Sequence, residues 1–130
     1  KSIFSIGLFS SKEVDNDGIV IATKSSMKKS LDKINYDYAL IDSVDLMINK
    51  PYFNFNKADS ISVSVAAASI IAKVCRDSIM SNIYDKLYPD YFFKNNKGYG
   101  SNKHIEIMKN IGLCPIHRKT FKPNSELIRK

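Results

Sequence analysis

Apolar side chains recur along this chain in two rhythms, and the switches between them lay out the elements. Ser2 to Phe9 alternates, imperfectly, between apolar and small residues and reads as a strand. Ser10 and Glu13 have the S-x-x-E spacing of a capping box, so a helical turn starts there. Gly18 interrupts it. A second helix is expected from about Ile19 to Lys33, with Val20, Met27, Leu31 and Ile34 on one apolar face and Lys24, Lys28 and Lys29 on the solvated one. Tyr38 to Ile41 is short, apolar and unbroken, as a buried strand should be, and Asp42 follows at its carboxyl end. After a loop through Asn49-Lys50-Pro51, Tyr52 to Asn56 alternates like another strand.

The longest periodic run follows. From Val63 to Leu87, apolar residues at Ala68, Ala72, Cys75, Ile79, Ile83 and Leu87 keep a helical period, and Tyr88-Pro89 ends it because the residue before proline is pushed out of the helical region. Asp90 to Gly100 reads as a loop rich in aromatics, Asn, Lys and Gly. Ser101 can cap a last clear helix, Asn102 to Ile111, which Gly112 stops, and a weak helical turn is expected near Ser125. No repeat or low-complexity linker divides the chain. The pattern is that of a single α/β domain, a sheet flanked by helices with a basic, partly helical carboxyl-terminal segment.

Composition changes this picture in one respect. At 130 residues, with 44% hydrophobic and 25% charged residues, the chain is an ordinary globular domain. Its net charge of +7 is unevenly placed. Residues 1–90 carry eleven Lys/Arg against eleven Asp/Glu, whereas residues 91–130 carry nine against Glu106 and Glu126. A one-sided basic segment is the footprint of a polyanion binder; the alternative is a solvated, lysine-rich tail. Cys75 and Cys114 stand in no metal-ligand spacing, Cys75 lies within an apolar helical face, and no disulfide framework is indicated. No apolar run approaches a membrane span and no signal peptide is visible, so a soluble, cytoplasmic protein without membrane partners is expected.

Asp42 and Asp59 are the residues on which chemistry could rest. In an open α/β sheet ligands bind beyond the carboxyl ends of strands, where Asp42 is placed, and Asp59 follows the next strand at the mouth of the long helix. Two carboxylates brought together there would suit a hard divalent cation, Mg²⁺ or Mn²⁺. The competing reading makes Asp59 a helix cap and Asp42 a turn former. Tyr99, between Gly98 and Gly100, is either a packed turn residue or an exposed stacking platform. Lys73 and Asp77, four apart, can pair on the helix surface; Arg76 and Asp77 read as structural. His104 and His117 are not spaced as a metal pair and read as surface or phosphate-contacting residues.

The chain contains Ile41-Asp42, Ala58-Asp59, Ala66 to Ile70, Ala72-Lys73-Val74, Arg76-Asp77, Lys97 to Gly100, and His117-Arg118 with Phe121. That order and spacing resembles the ribonuclease HII family, the type 2 ribonucleases H that cut RNA embedded in DNA duplexes. Weaker agreement at Val14-Asp15, Ala22-Thr23 and Met27 reaches back to about residue 13. The resemblance implies a ribonuclease H-like fold in which Asp42 and Asp59 are catalytic, metal-binding carboxylates for Mg²⁺ or Mn²⁺. It makes Tyr99 the residue that packs on the sugar at an RNA–DNA junction. Lys97, Ser101, Lys103 and Arg118 become substrate contacts within a basic segment, residues 91–130. The implied substrates are RNA–DNA hybrids or duplex DNA containing ribonucleotides, cut by two-metal hydrolysis. A full-length member is expected to be monomeric.

Two departures qualify the resemblance. The family's opening Asp-Glu-Ala-Gly-Arg-Gly, which supplies two further carboxylates and the backbone facing the ribose 2′-hydroxyl, is absent from these residues. The chain is therefore expected to be the later part of a family member, incomplete at its amino-terminal side. Ser43 stands where the family has glycine, and Gly18 where an asparagine contacts substrate. The alternatives to an enzyme are a non-catalytic nucleic-acid-binding remnant and a structural subunit that reuses the fold.

Overall fold

Strand pairing begins where the unbroken apolar run meets the alternating one. In the computed structural model, which describes residues 2–128, β1 (Ala39–Asp42) pairs in parallel with β2 (Tyr52–Phe55), in a register that sets Ala39 against Tyr52 and Asp42 against Phe55. Lys1, Arg129 and Lys130, the last two of them part of the basic segment, lie outside the described residues. The chain forms two compact units, one up to Ala72 and one from Lys73 onward.

In the first unit the capping box forms as its spacing requires. The Ser10 amide donates to Glu13 Oε2 at 2.7 Å and the Glu13 amide to Ser10 Oγ at 3.2 Å, opening α1 (Ser11–Asp17). The Ser10 amide also holds the Glu13 carboxyl below the ordinary range. Gly18, at φ 84° and ψ 159°, both ends α1 and begins α2 (Ile19–Leu31). That conformation is essentially open to glycine alone. An asparagine would find room, since nothing lies within 4 Å of a Cβ there, but not a comfortable backbone. Gly18→Asn is expected to cost about 1–3 kcal/mol, read as a lowered urea midpoint. A midpoint equal to the parent's would mean the junction relaxes without strain.

Met27 and Leu31 of α2, with Tyr36, pack on Ala39, Ile41 and Leu46 to make the core of this unit. Three expectations need correction. Val20 is not on the buried face; it is exposed, and Ala22 is the buried residue of α2. The sheet is covered on one face only among the described residues. Leu40, Tyr38 and Phe53 are exposed, the last two with rings stacked at 5.3 Å, although parallel strands are usually covered on both faces. Ser2 to Phe9 is not a strand. Its backbone lies along α2 instead of a ladder: the Ile6 carbonyl accepts from Lys33 Nζ at 3.0 Å, the Leu8 carbonyl from Lys29 Nζ at 3.4 Å, and Ser5 Oγ donates to the Ser30 carbonyl. Alternation alone could not distinguish these side-chain partners from strand partners.

The helix α3 (Val63–Ile79) leads from one unit into the other and continues as a π-helical turn, Met80–Tyr84, and a last α turn, α4 (Asp85–Leu87), before Pro89. The expected apolar face is largely open. Ala68, Ala72, Ile83 and Leu87 are exposed, Cys75 and Ile79 half-buried, and only Val65 of α3 is buried. Apolar residues surround most of this helix, Ile70 and Val74 among them, so periodicity could not choose a side.

The second unit is built on the stretch expected to be a loop. Tyr91 closes a 3₁₀ turn (Pro89–Tyr91) and Phe93 opens α5 (Phe93–Asn96); both are buried, with rings stacked at 5.6 Å. With Met108 and Cys114 they form the core, against which Met80, Tyr84, Ile105 and Ile116 pack. Fully burying an aromatic such as Phe93 stabilises by roughly 1.5–3 kcal/mol, more than any turn preference in Asn-Lys-Gly can offset. Ser101 caps α6 (Asn102–Ile111) through a 3.3 Å bond from the His104 amide, and Gly112 ends it. The weak turn near Ser125 is α7 (Asn124–Ile128). No helix among the described residues is long and apolar enough to cross a membrane, and both cysteines are free.

Candidate functional site

Asp42 is the last residue of β1, and the chain turns sharply after it because Ser43 adopts a left-handed conformation, φ 58°. Only glycine takes that region freely. Ser43 regains part of the cost through its hydroxyl, which donates to Asp42 Oδ1 at 2.9 Å. The same oxygen accepts the Ala58 amide at 3.1 Å. Ala58 is fully buried and opens a 3₁₀ turn (Ala58–Ser60) entered through left-handed Lys57, and Asp59 follows it, exposed. The carboxylate of Asp42 is thus anchored on the backbone of Ala58, the residue just before Asp59.

The Ala58 amide, and after it the Ser43 hydroxyl, hold the Asp42 carboxyl below the ordinary aspartate range. Both bonds favour the ionised form, so Asp42 is an anion at neutral pH. These oxygens are the right kind of donor for Mg²⁺ or Mn²⁺. They are few. No group of three or more His, Cys, Asp or Glu that could hold a metal occurs among the described residues. Asp45, the nearest acid in sequence, accepts from the Tyr52 hydroxyl and, at 3.4 Å, from Asn54.

In the second unit Tyr99 is half-exposed on a turn that Asn96 ties together, its Oδ1 accepting the Gly98 amide at 2.7 Å. Gly98 is needed at φ 72°, and a Cβ there would also meet Met80 at 3.0 Å. The Arg76 guanidinium lies over the Tyr99 ring, 4.5 Å from its centroid. Sequence pattern reads Arg76 as merely structural; the signal for more is its place in Arg76-Asp77, one turn beyond Lys73. The Lys73–Asp77 pair forms as its spacing suggested, at 2.6 Å.

The four expected polar contacts stand in different situations. The Lys97 ammonium folds inward, donating to Ser81 Oγ and to the Lys94 carbonyl. Ser101 spends its hydroxyl on the α6 cap. Lys103 lies over the Phe92 ring at 5.7 Å and Arg118 over Phe121 at 4.0 Å, both at the surface. The expectation that His104 and His117 are surface residues is overturned. They are 1% and 8% exposed and meet through their Nε2 atoms at 3.2 Å. His104 sits four residues before buried Met108 on α6, the one pattern that could have disclosed it.

A parallel strand pair ending in an anchored aspartate, with a helix packed on one face, is consistent with a partial ribonuclease H-like α/β fold. The comparisons with known proteins are more specific. The sequence model of the ribonuclease HII family matches residues 5–124. Ribonuclease HII of Enterococcus faecalis is 44% identical over 125 residues, which is 95% of this chain and 49% of that protein. Those of Listeria innocua (45%, covering 93% of this chain and 47% of the relative) and Acholeplasma laidlawii (43%, covering 90% and 58%) are similar to it as well. The chain belongs to the ribonuclease HII family, and it spans about half the length of the curated relatives it matches.

Proposed function

We propose that this chain forms part of an endonuclease that hydrolyses the phosphodiester on the 5′ side of a ribonucleotide in duplex DNA or an RNA–DNA hybrid. The products are a 3′-hydroxyl and a 5′-phosphate. The observation that supports this reading is the bond from the Ala58 amide to Asp42 Oδ1, which anchors the strand-end aspartate on the residue just before Asp59. When bound, a hard divalent cation supplies the positive charge that a phosphodiester under attack requires. Asp42 and Asp59 would hold part of its ligand sphere. Tyr99 offers an aromatic face to the sugar at the junction, and Lys103 and Arg118 offer charge to phosphates, which positions a duplex without reading its sequence.

A second reading is a nucleic-acid-binding remnant without catalysis, supported by the basic surplus after Asp90. Cleavage of a labelled duplex with one ribonucleotide separates the two. The chain joined to a segment carrying Asp-Glu-Ala-Gly-Arg-Gly should nick it on the 5′ side of the ribonucleotide and leave an all-DNA duplex whole. No nicking by a folded fusion would leave the remnant.

Both readings require salt-dependent binding, because the charge surplus lies after Asp90. Neutralising a lysine that contacts phosphate should reduce the slope of log affinity against log salt by roughly 1. Lys94→Gln and Lys103→Gln should each show it. Lys97→Gln should show less, since its ammonium is already bonded within the protein. Unchanged slopes at Lys94 and Lys103 would remove this segment from the binding surface.

A further inference from the structure

We infer that Arg76 is a positioning residue for junction recognition: its guanidinium backs one face of the Tyr99 ring and holds the other face ready for the substrate sugar. The inference rests on the reading of Tyr99 as the sugar-packing residue. The guanidinium lies 4.5 Å from the ring centroid, within the range of a cation–π contact. It is not a free surface charge. Arg76 Nη1 donates to Asp77 Oδ1 at 3.1 Å, and the other oxygen of Asp77 takes Lys73 Nζ at 2.6 Å. The Asp77 side chain is only 18% exposed, against 44% for Arg76 and 65% for Lys73, so the carboxylate is the fixed point and the cations gather on it. Lys73 first, and Arg76 after it, hold the Asp77 carboxyl below its ordinary range, so it stays charged where the enzyme would work.

The opposite wall of this small assembly is equally constrained. Gly98, just before Tyr99, allows the backbone to pass near Met80 and leaves Arg76 Nη2 3.8 Å from where a Cβ would sit. Asn96 fixes the turn from below through its bond from the Gly98 amide. An aromatic ring at 50% exposure would otherwise rotate freely, and ordering it would fall on the binding step. With one face already occupied, that cost is met during folding. Lysine could not do the same: its point charge does not present a plane to the ring.

The experiment measures, for the chain joined to a segment carrying Asp-Glu-Ala-Gly-Arg-Gly, the preference for a duplex with one embedded ribonucleotide over the same duplex in DNA. A ratio cancels the general loss of positive charge. Tyr99→Ala should lower the preference by roughly 5- to 150-fold, the range for a lost stacking partner. Arg76→Ala should lower it by about 2- to 5-fold, the equivalent of an exposed cation–π contact, and should add nothing in a Tyr99→Ala background. Arg76→Lys should keep the affinity for DNA and lose part of the preference. Asp77→Asn, which loosens the guanidinium without touching the ring, serves as a second variant should Arg76→Ala fold poorly. Ring-current shifts on the Arg76 side-chain protons, present in the parent and lost in Tyr99→Ala, report the stack without substrate. If Tyr99→Ala changes nothing, or the parent chain has no preference, the reading of Tyr99 falls and this inference with it. If Tyr99→Ala loses preference while Arg76→Ala and Asp77→Asn do not, only the positioning role is overturned.

Discussion

Asp42→Asn and Asp59→Asn, each made in the chain joined to a segment carrying Asp-Glu-Ala-Gly-Arg-Gly, are expected to abolish nicking at an embedded ribonucleotide while leaving the fold intact. The loss should exceed about 100-fold, because changes to groups merely behind metal ligands already reach that scale. Asp42→Asn keeps one acceptor oxygen for the Ala58 amide, and Asp59 is exposed, so neither substitution removes a structural bond that asparagine cannot remake. The 130 residues alone are expected to bind Mg²⁺ weakly and to cleave nothing measurable. Two carboxylates offset little of the dehydration of an ion that gives up its waters reluctantly. Calorimetric Mg²⁺ titration and the nicking assay read these outcomes, with circular dichroism as the folding control. Metal-dependent cleavage by the chain alone would overturn the incomplete-site reading. It would require another acid, such as Asp45, to leave its bonds to Tyr52 and Asn54 and join the site.

What could be read from sequence was what local chemistry dictates. The Ser10–Glu13 box, the stop at Gly112, the cap at Ser101 and the end of the long helix at Pro89 each depend on backbone groups within a few residues. The placement of Asp42 was legible for the same reason: an unbroken apolar run ended at it. Its anchoring on Ala58 was not, since that bond spans 16 positions and depends on how β1 and β2 pair. Where the chain had to choose among apolar faces, pattern failed. The long helix offers apolar residues on most sides, and Ser2 to Phe9 finds its partners in Lys29, the Ser30 carbonyl and Lys33, in and just beyond α2. In the aromatic stretch after Pro89, Asn, Lys and Gly dominate the turn propensity, whereas Tyr91 and Phe93 decide the burial.

Arg76 and the histidines show the same limit at the level of function. Arg76 and Tyr99 stand far apart in sequence, and their contact exists only because the turn from Asn96 to Gly98 returns the chain to the helix. A histidine on an amphipathic helix has no signature that separates a buried neutral ring from a solvated one. Only the arrangement of its neighbours does, and here that arrangement makes a definite demand.

The second unit is expected to lose stability as pH falls below about 6.5, the ordinary histidine value. Asn96 orients the system. Its Oδ1 accepts from Gly98, and its Nδ2 donates to the Tyr91 carbonyl at 2.7 Å and faces His104 Nδ1 at 3.1 Å. His104 Nδ1 must then accept, its proton lies on Nε2, and that N–H faces His117 Nε2 at 3.2 Å. His117 Nδ1 takes the Cys114 amide at 3.0 Å and lies 3.3 Å from the Cys114 carbonyl. Charging His104 would set an N–H against the Asn96 donor; charging His117 would set one against the Cys114 amide. Burial pushes both histidines below their ordinary value, and the nearby His104 lowers His117 further. The unfolded chain therefore binds protons first. Stability is fully present above the unfolded value and declines as pH falls towards the folded ones. The chain has only two histidines and ordinary carboxyls titrate near 4, so the window from pH 7.5 to 5 isolates this pair. Urea midpoints should fall across it in the parent. They should fall much less in a His104→Gln/His117→Gln variant, where no ring is left to charge. A parent midpoint that is flat across the window, or a variant that falls as steeply, would mean the pair accepts a proton without cost.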